Sequence, residues 1–346
     1  MQRCLQLALN GAGNVAPNPM VGAVLVCNDV IIGEGYHQLY GQAHAEVNCI
    51  NSVAEQNKSL IEKSTLYVSL EPCSHFGKTA PCADLISKMK IPIVVIGCRD
   101  SYEEVDGKGI AKLQTAGVEV ITGVLEEEAK ALNKRFFTFH QQSRPYIILK
   151  WAQSNDNKIA NADFSRVLIS NEFTNRLVHQ WRSEEAAIMV GINTALHDNP
   201  SLTVRHWTGN NPVRVVIDKD LKIPATHQLL AGNESTIVFN NDKEMEAGKI
   251  WYCKIDSNQP VITQVIQKLH QLKIQSVLVE GGAKLLQSYI DAQLWDEARV
   301  IINEQLIIGQ GIAAPSLSNQ LLAVTEAYGT DKINYYQPSF NNNIHE

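Results

Sequence analysis

His44, Glu46, Cys73 and Cys82 are the residues of this chain whose types and spacing could do chemistry together. An imidazole and two thiols, in that order, offer three ligands to zinc, and Glu46 follows the imidazole by two residues without being needed as a ligand. Structural zinc usually closes its tetrahedron with four protein ligands, whereas hydrolytic zinc keeps the fourth position for water. Three ligands and a spare carboxylate therefore predict one catalytic zinc per chain, an activated hydroxide, and Glu46 as general acid/base. A closed structural site would need a fourth ligand, which the sequence does not offer at suitable spacing. A lone His-x-Glu is common chance and a lone cysteine pair is usually core. Here they come in order, with Pro72 and Pro81 before the two cysteines. His75 and Lys78, between the cysteines, stay open between a substrate role and solvated surface.

A second constellation lies near the C-terminus. A predicted strand over 276–280 runs into Gly281-Gly282 and a predicted helix from Ala283 to Gln293. Two glycines at such a junction let backbone amides approach an anion, which the helix dipole favours. The phosphate of a dinucleotide is one reading and a plain tight turn the other, because the three-glycine dinucleotide fingerprint is missing.

The elements that must position these groups follow from pattern. Arg3–Asn10 reads as a short helix, and the prolines of Ala16-Pro17-Asn18-Pro19 force an extended loop that presents Asn18. Residues 20–27 and 30–37 are β-branched runs joined by Asn28-Asp29, a hairpin ending at His37. A helix over 45–54 carries His44 and Glu46 at its start; residues two apart do not share a face, so Glu46 points beside the metal. A strand over 65–69 leads to Cys73, and Cys82 opens a helix to Lys90, where the dipole favours a thiolate. A strand (91–97), a helix (109–116), a strand (118–121) and a helix (126–140) complete a sheet covered on both faces. After a polar linker at 141–144, strands are predicted at 146–152, 187–191, 214–218, 235–239 and 276–280. Helices are predicted from Asn171 to about Arg182 and over 262–272. The stretch 194–205 reads as a loop rich in polar groups, and nothing after Ala314 is patterned enough to assign.

With 346 residues, 45% hydrophobic and 19% charged, the chain exceeds one comfortable core, so two domains are expected. No long apolar run or secretory leader is visible, and seven cysteines fit a reducing compartment, so a cytoplasmic protein without membrane partners is expected. A net charge of −6 argues against a nucleic-acid partner, whose footprint is a basic stripe. A small-molecule substrate is expected.

The nucleobase-deaminase signature, His-x-Glu with Pro-Cys-x-x-Cys, is met in its first half, but eight residues separate Cys73 from Cys82. That spacing, with Pro-Asn-Pro-x-Val-Gly at 17–22, Gly-Glu-Gly-Tyr-His at 33–37 and Leu-Glu-Pro-Cys-Ser-His-x-Gly-x-Thr-x-Pro-Cys at 70–82, resembles the bifunctional deaminase/reductase family of riboflavin biosynthesis. The order Lys150, Ser-x-Asp at 154–156, Gly191, Thr194, Asp198, Pro-x-Leu-Thr-x-Arg at 200–205, Ile-Asp at 217–218 and Val-Glu-Gly-Gly at 279–282 is similar to that family's reductase half. The resemblance implies an α/β chain with a cytidine-deaminase-like α/β/α sandwich at 1–140 and a dihydrofolate-reductase-like domain using NADPH at 145–346.

It further implies zinc on His44, Cys73 and Cys82, and Glu46 as proton shuttle. NADPH would contact Ala152, Thr194, Asp198 and Gly282-Ala283-Lys284. Substrate would contact Asn18, His37, His75 and Lys78 in the first domain, and Arg182, Leu202, Arg205 and Glu280 in the second. Lys150 and Asp198 are expected to take part in the reduction. Arg182 and Arg205 could clamp a phosphate or be surface ion pairs. The implied reactions are deamination of 2,5-diamino-6-hydroxy-4-(5-phosphoribosylamino)pyrimidine and reduction of its ribosyl side chain to a ribityl chain, in a homo-oligomer. The alternative is a deaminase whose second domain only binds ligand or dimerises. It is motivated by departures from the family pattern: Asn157 for glycine, Leu168 for tryptophan, Ala186 for aspartate. Asp100-Ser101-Tyr102-Glu103 also stands where the family has Asp-Pro-Asn-Pro.

Overall fold

The computed structural model describes residues 1–74, 80–100, 105–163, 165 and 167–339, so His75, Lys78 and Ser101–Glu103 lie outside the described residues. The chain forms two compact units, Met1–Ser143 and Arg144–Glu346. The first runs α1 (Gln2–Leu9), β1 (Gly22–Cys27), β2 (Val30–Tyr36), α2 (Ala45–Asn51), a 3-10 helix (Glu55–Lys63), β3 (Thr65–Leu70), α3 (Cys82–Lys88), β4 (Ile93–Cys98), α4 (Lys108–Thr115), β5 (Glu119–Ile121), α5 (Glu126–Leu132) and α6 (Lys134–Gln141).

Its sheet has the order β2-β1-β3-β4-β5, with β1 antiparallel to both neighbours and β3, β4 and β5 parallel. Asn28 and Asp29 take φ of 48° and 60°, the pair of left-handed residues that a tight two-residue hairpin needs. Strand alternation sends Ala23 and Leu25 against Ala45, Cys49 and Ile50 of α2, and Val24 against Cys4 and Leu7 of α1. At Gly35 a Cβ would stand 2.7 Å from the Ala45 carbonyl oxygen, so glycine there sets how closely α2 lies on β2. The helix predicted over 126–140 is two, broken at Asn133 (φ −104°, ψ 23°). The Asn133 side chain is held elsewhere: it accepts from the Met20 amide and donates to the Met20 carbonyl, both at 2.8 Å, pinning the loop that presents Asn18.

The second unit runs β6 (Tyr146–Ser154), β7 (Lys158–Asn161), α7 (Glu172–Glu184), β8 (Ala187–Gly191), α8 (Ile192–Asp198), β9 (Val213–Ile217), α9 (Gln228–Ala231), β10 (Thr236–Asn240), β11 (Met245–Ala247), β12 (Ile250–Lys254), α10 (Val261–Gln271), β13 (Ser276–Val279), α11 (Ala283–Asp291), β14 (Glu297–Asn303), β15 (Gly311–Ala313), β16 (Gln320–Tyr328) and β17 (Asp331–Pro338). The large sheet has the order β11-β12-β10-β9-β8-β13-β6-β14-β17-β16. Neighbours are parallel from β12 through β14 and antiparallel at the two ends. Central β6 is buried on both faces: Ile147, Leu149 and Trp151 meet Leu269, Leu286 and Tyr289, while Tyr146 and Ile148 meet Val178 and Trp181 of α7. This is why its sequence is a near-continuous apolar run. Asn171 caps α7, accepting from the Thr174 amide at 3.0 Å.

The loop expected over 194–205 is corrected here: it begins inside α8, a single short helix that ends at Asp198 and is followed by Asn199 with φ 40°. The segment after Ala314, left unassigned from the sequence, contains the hairpin of β16 and β17. Among the described residues no helix is long and apolar enough to cross a membrane.

Candidate active sites

His44 is the N-cap of α2 (φ −72°, ψ 169°), Glu46 lies in its first turn, Cys73 follows the end of β3, and Cys82 opens α3. These ends converge. The His44 Nδ1 lies 3.5 Å from Cys73 Sγ and 3.4 Å from Cys82 Sγ, and the ligand atoms all fall within 4.8 Å of one another. A zinc tetrahedron with ordinary Zn–N and Zn–S bonds has N···S edges of about 3.6 Å. The donor set and its spacing thus fit zinc, with His44 presenting Nδ1. A hydrogen bond from the Cys82 thiol, then one from His44 and one from the Cys82 amide at 3.3 Å, hold the Cys73 thiol well below its ordinary value, and Cys82 is pushed up in turn. Of the two sulfurs, Cys73 is thus the one that gives up its proton more readily.

Glu46 is 3% exposed, and burial, followed by the Cys73 charge, raises its pKa to about 7. A carboxyl at that value can both take and return a proton near neutral pH. Beside it, His37 is also buried, its ring edge-on to His44 at 5.4 Å. The His37 Nδ1 lies 3.1 Å from the Ala43 carbonyl oxygen, so Nδ1 carries the hydrogen and Nε2 accepts from the Asn18 amide nitrogen at 3.1 Å. That fixes the Asn18 amide with its NH2 towards His37.

Sequence reasoning missed Glu71. Its buried carboxylate accepts from the backbone amides of Asp100 (3.3 Å), Gly107 (3.0 Å), Gly109 (2.9 Å) and Ile110 (3.1 Å). It clasps the start of α4 directly beside Pro72-Cys73. Only its place in the Glu-Pro-Cys run hinted at a role.

In the second unit a cavity of 1420 Å³ is lined by Lys150, Ala152, Thr194, Asp198, Glu280 and Gly282-Ala283-Lys284, all predicted site residues. It lies at the C-terminal ends of β6, β8, β9 and β13, where parallel α/β sheets bind ligands. Drug-sized pockets run to about 1,000 Å³, so this one has room for a dinucleotide. Gly282, with φ 75°, is the N-cap of α11, and a Cβ at Gly281 would stand 3.2 Å from Thr194 Oγ1. The glycine pair therefore lets the first turn of α11 and Thr194 share the cavity wall, which suits a phosphate. The residues present fit NADPH.

Glu280 is the electrostatic centre of that wall. Arg182 donates to both of its oxygens at 2.7 Å, and Lys150 Nζ is 3.7 Å away. Burial alone would raise Glu280, but the charges of Arg182 and Lys150 hold it at about 2, while burial lowers Lys150. Arg182 is thus a buried partner of Glu280 and not a surface ion pair. It also donates to the Thr203 carbonyl at 3.3 Å. Leu202, expected at substrate, puts its side chain in the core with Val190 and Val216, leaving its backbone at φ 55° for any contact. Arg205 is exposed and does not line the cavity.

Of the family departures at 157, 168 and 186, the first has a local reason, and nothing in the structure explains the other two. Asn157 sits at φ 59°, a left-handed position that asparagine tolerates better than most residues, and its side chain accepts from Gln153 at 2.6 Å. Leu168 lies on the cavity wall, 76% exposed, and the Ala186 amide donates to Ser276 Oγ at 3.0 Å.

Fold and sites together define a zinc-binding deaminase joined to a reductase. Residues 1–98 match the cytidine and deoxycytidylate deaminase zinc-binding region, and residues 145–327 match the RibD C-terminal domain. The riboflavin biosynthesis protein RibD of Aquifex aeolicus is 39% identical over 325 residues, 92% of this chain and 89% of the relative. That of Bacillus amyloliquefaciens is 40% identical, over 92% and 86%. The crystal structure of a diaminohydroxyphosphoribosylaminopyrimidine deaminase/5-amino-6-(5-phosphoribosylamino)uracil reductase from Thermotoga maritima superposes with a TM-score of 0.90 at 35% identity, covering 98% of this chain and 97% of that one. Acinetobacter baumannii RibD gives 0.90 at 32% identity, covering 97% of each. The chain belongs to the RibD family of riboflavin biosynthesis proteins. It is a bifunctional enzyme, a zinc-dependent deaminase and an NADPH-dependent reductase.

Proposed function

We propose that residues 1–140 deaminate 2,5-diamino-6-hydroxy-4-(5-phosphoribosylamino)pyrimidine and that residues 145–346 reduce the product to 5-amino-6-(5-phosphoribitylamino)uracil. The observation that carries the first step is the His44, Cys73 and Cys82 cluster with buried Glu46 beside it. His44, Cys73 and Cys82 would hold zinc, which would activate water as the nucleophile. Glu46 takes the proton of the attacking water and passes it to the departing amine, so that a C–O bond forms, the C–N bond breaks and ammonia leaves. Asn18, oriented by His37, is a hydrogen-bonding contact for the pyrimidine; His75 and Lys78 are further contacts in this reading.

For the second step, Ala152, Thr194, Asp198 and Gly282-Ala283-Lys284 would hold NADPH, which would supply hydride for the imine carbon of the ring-opened sugar. Lys150, next to Glu280 in the cavity wall, gives the proton. Arg205 and the backbone of Leu202 hold the phosphorylated side chain, and the Arg182–Glu280 pair borders it. The acidic net charge supports a small-molecule substrate over nucleic acid. We further infer a cytoplasmic enzyme that forms a homo-oligomer; Leu321, Leu322 and Val324, between 47% and 56% exposed on β16, favour self-association.

Mass spectrometry of the product, after incubating purified protein with the diaminopyrimidine phosphoribosyl substrate and NADPH, tests the whole reading. The deaminated, ribityl-bearing phosphate is the expected product. Accumulation of the deaminated but unreduced compound would remove the second step.

A further inference from the structure

His179 belongs to neither set of site residues, yet it is 2% exposed and lies on α7 three positions before Arg182, on the same helix face. Its Nδ1 accepts from the Arg205 backbone amide at 3.1 Å. Arg182 takes the Thr203 carbonyl at 3.3 Å, and Asn211 Oδ1 accepts from the Val204 amide at 2.7 Å. Three consecutive residues of an irregular segment are thus tied down by backbone bonds, two of them to one face of α7. The guanidinium of Arg205 is left exposed at the end of this tethered segment. The His179 ring also packs edge-on against His206, with centroids 4.7 Å apart at 88°.

Accepting from an amide requires the Nδ1 of His179 to carry no hydrogen. Burial, then the charge of Arg182, lowers His179 to about 4, so the ring stays neutral and keeps that acceptor through the working pH range. Arg182 is itself anchored on Glu280 by two bonds of 2.7 Å, so α7 offers a rigid reference to which the segment is fixed. Bidentate recognition of a phosphate needs the guanidinium held in orientation before substrate arrives. A segment free to reorient would lose that advantage on every binding event.

We propose that His179 is a positioning residue of the reductase, clasping the Thr203–Arg205 backbone to α7 so that Arg205 is aimed at the phosphate of the substrate. The inference rests on the reading of Arg205 as the phosphate contact. It adds a residue that touches neither substrate nor cofactor but sets substrate affinity.

The test is steady-state kinetics on the full-length zinc-loaded enzyme with NADPH and the deaminated phosphoribosylamino substrate. Four variants are compared: His179→Phe, His179→Asn, Arg205→Ala and the double variant His179→Phe/Arg205→Ala. Phenylalanine keeps the ring contact with His206 and loses the acceptor; asparagine does the reverse. His179→Phe should raise KM for this substrate about tenfold, the worth of one hydrogen bond, with kcat, KM for NADPH and the deaminase rate unchanged. His179→Asn should stay near wild type, and His179→Phe should add little once Arg205 is alanine. A normal KM in His179→Phe with a raised KM in Arg205→Ala overturns the positioning role alone. Impairment by asparagine but not phenylalanine makes the residue a packing element and also overturns it. A normal KM in Arg205→Ala removes the phosphate reading and the inference with it.

Discussion

Glu46 and Glu280 are both buried carboxyls, yet they end at opposite extremes. Burial, reinforced by the charge of Cys73, raises Glu46 to about 7, whereas at Glu280 the charges of Arg182 and Lys150 overcome burial and hold it at about 2. At those values the first can exchange a proton near neutral pH and the second keeps its charge. Glu46→Gln should lower ammonia release by roughly two to four orders of magnitude, the usual worth of general acid/base catalysis. Zinc content by atomic emission should stay at the wild-type level, and so should NADPH oxidation with the deaminated phosphoribosylamino compound supplied. For Glu280 the sign follows from a folded-state value below the ordinary 4.5. Its ion pairs contribute stability in full above that pH and lose it as pH falls towards 2. The contribution is on the order of 3 kcal/mol. Urea midpoints should therefore separate wild type from Glu280→Gln widely at pH 6 and progressively less at lower pH; a constant gap would contradict the coupling.

Among elements, what was legible in the sequence depended on how local the forces are. The hairpin at Asn28-Asp29, the Asn171 cap and the glycine pair before α11 each act within a few residues, and each is where the pattern put it. The cluster of His44, Cys73 and Cys82 was legible because zinc chemistry admits few substitutes, even though the strands and helices that carry it converge from distant positions. Four features were not legible. The break at Asn133 is made by Met20, 113 residues away, and Glu71 meets amides 29 to 39 residues on. The bidentate pair of Arg182 and Glu280 spans 98 residues. β16 is exposed along most of its length, so it lacks the buried-and-exposed alternation by which half-buried strands are recognised. Asn133→Ala should leave the Met20 amide and carbonyl without their partner and cost about 2 kcal/mol, read as a lower urea midpoint of the first unit. Gly281→Val would drive a branched side chain against Thr194; a KM for NADPH raised at least tenfold with an unchanged deaminase rate is expected, on the scale of about 1.4 kcal/mol or more.

For the whole molecule, each compact unit has its own core, one built around β1, β3 and β4 and the other around β6, β8 and β13. Zinc binds the folded form of only the first. Adding a chelator should lower the melting transition of that unit and abolish deamination, leaving the second transition in place and NADPH oxidation intact when the deaminated phosphoribosylamino compound is supplied; a single transition that shifts as one would show the units to be energetically fused. The large sheet ends very differently on its two sides: three-residue β11 closes one rim, and nine-residue β16 the other. A short rim is a poor template for another strand and a long apolar one is a good template. In colloidal terms the exposed Leu321, Leu322 and Val324 of β16 make that rim an attractive patch, so Leu322→Lys should shift the osmotic second virial coefficient towards more positive values, and an unchanged coefficient would contradict a role for the rim in self-association.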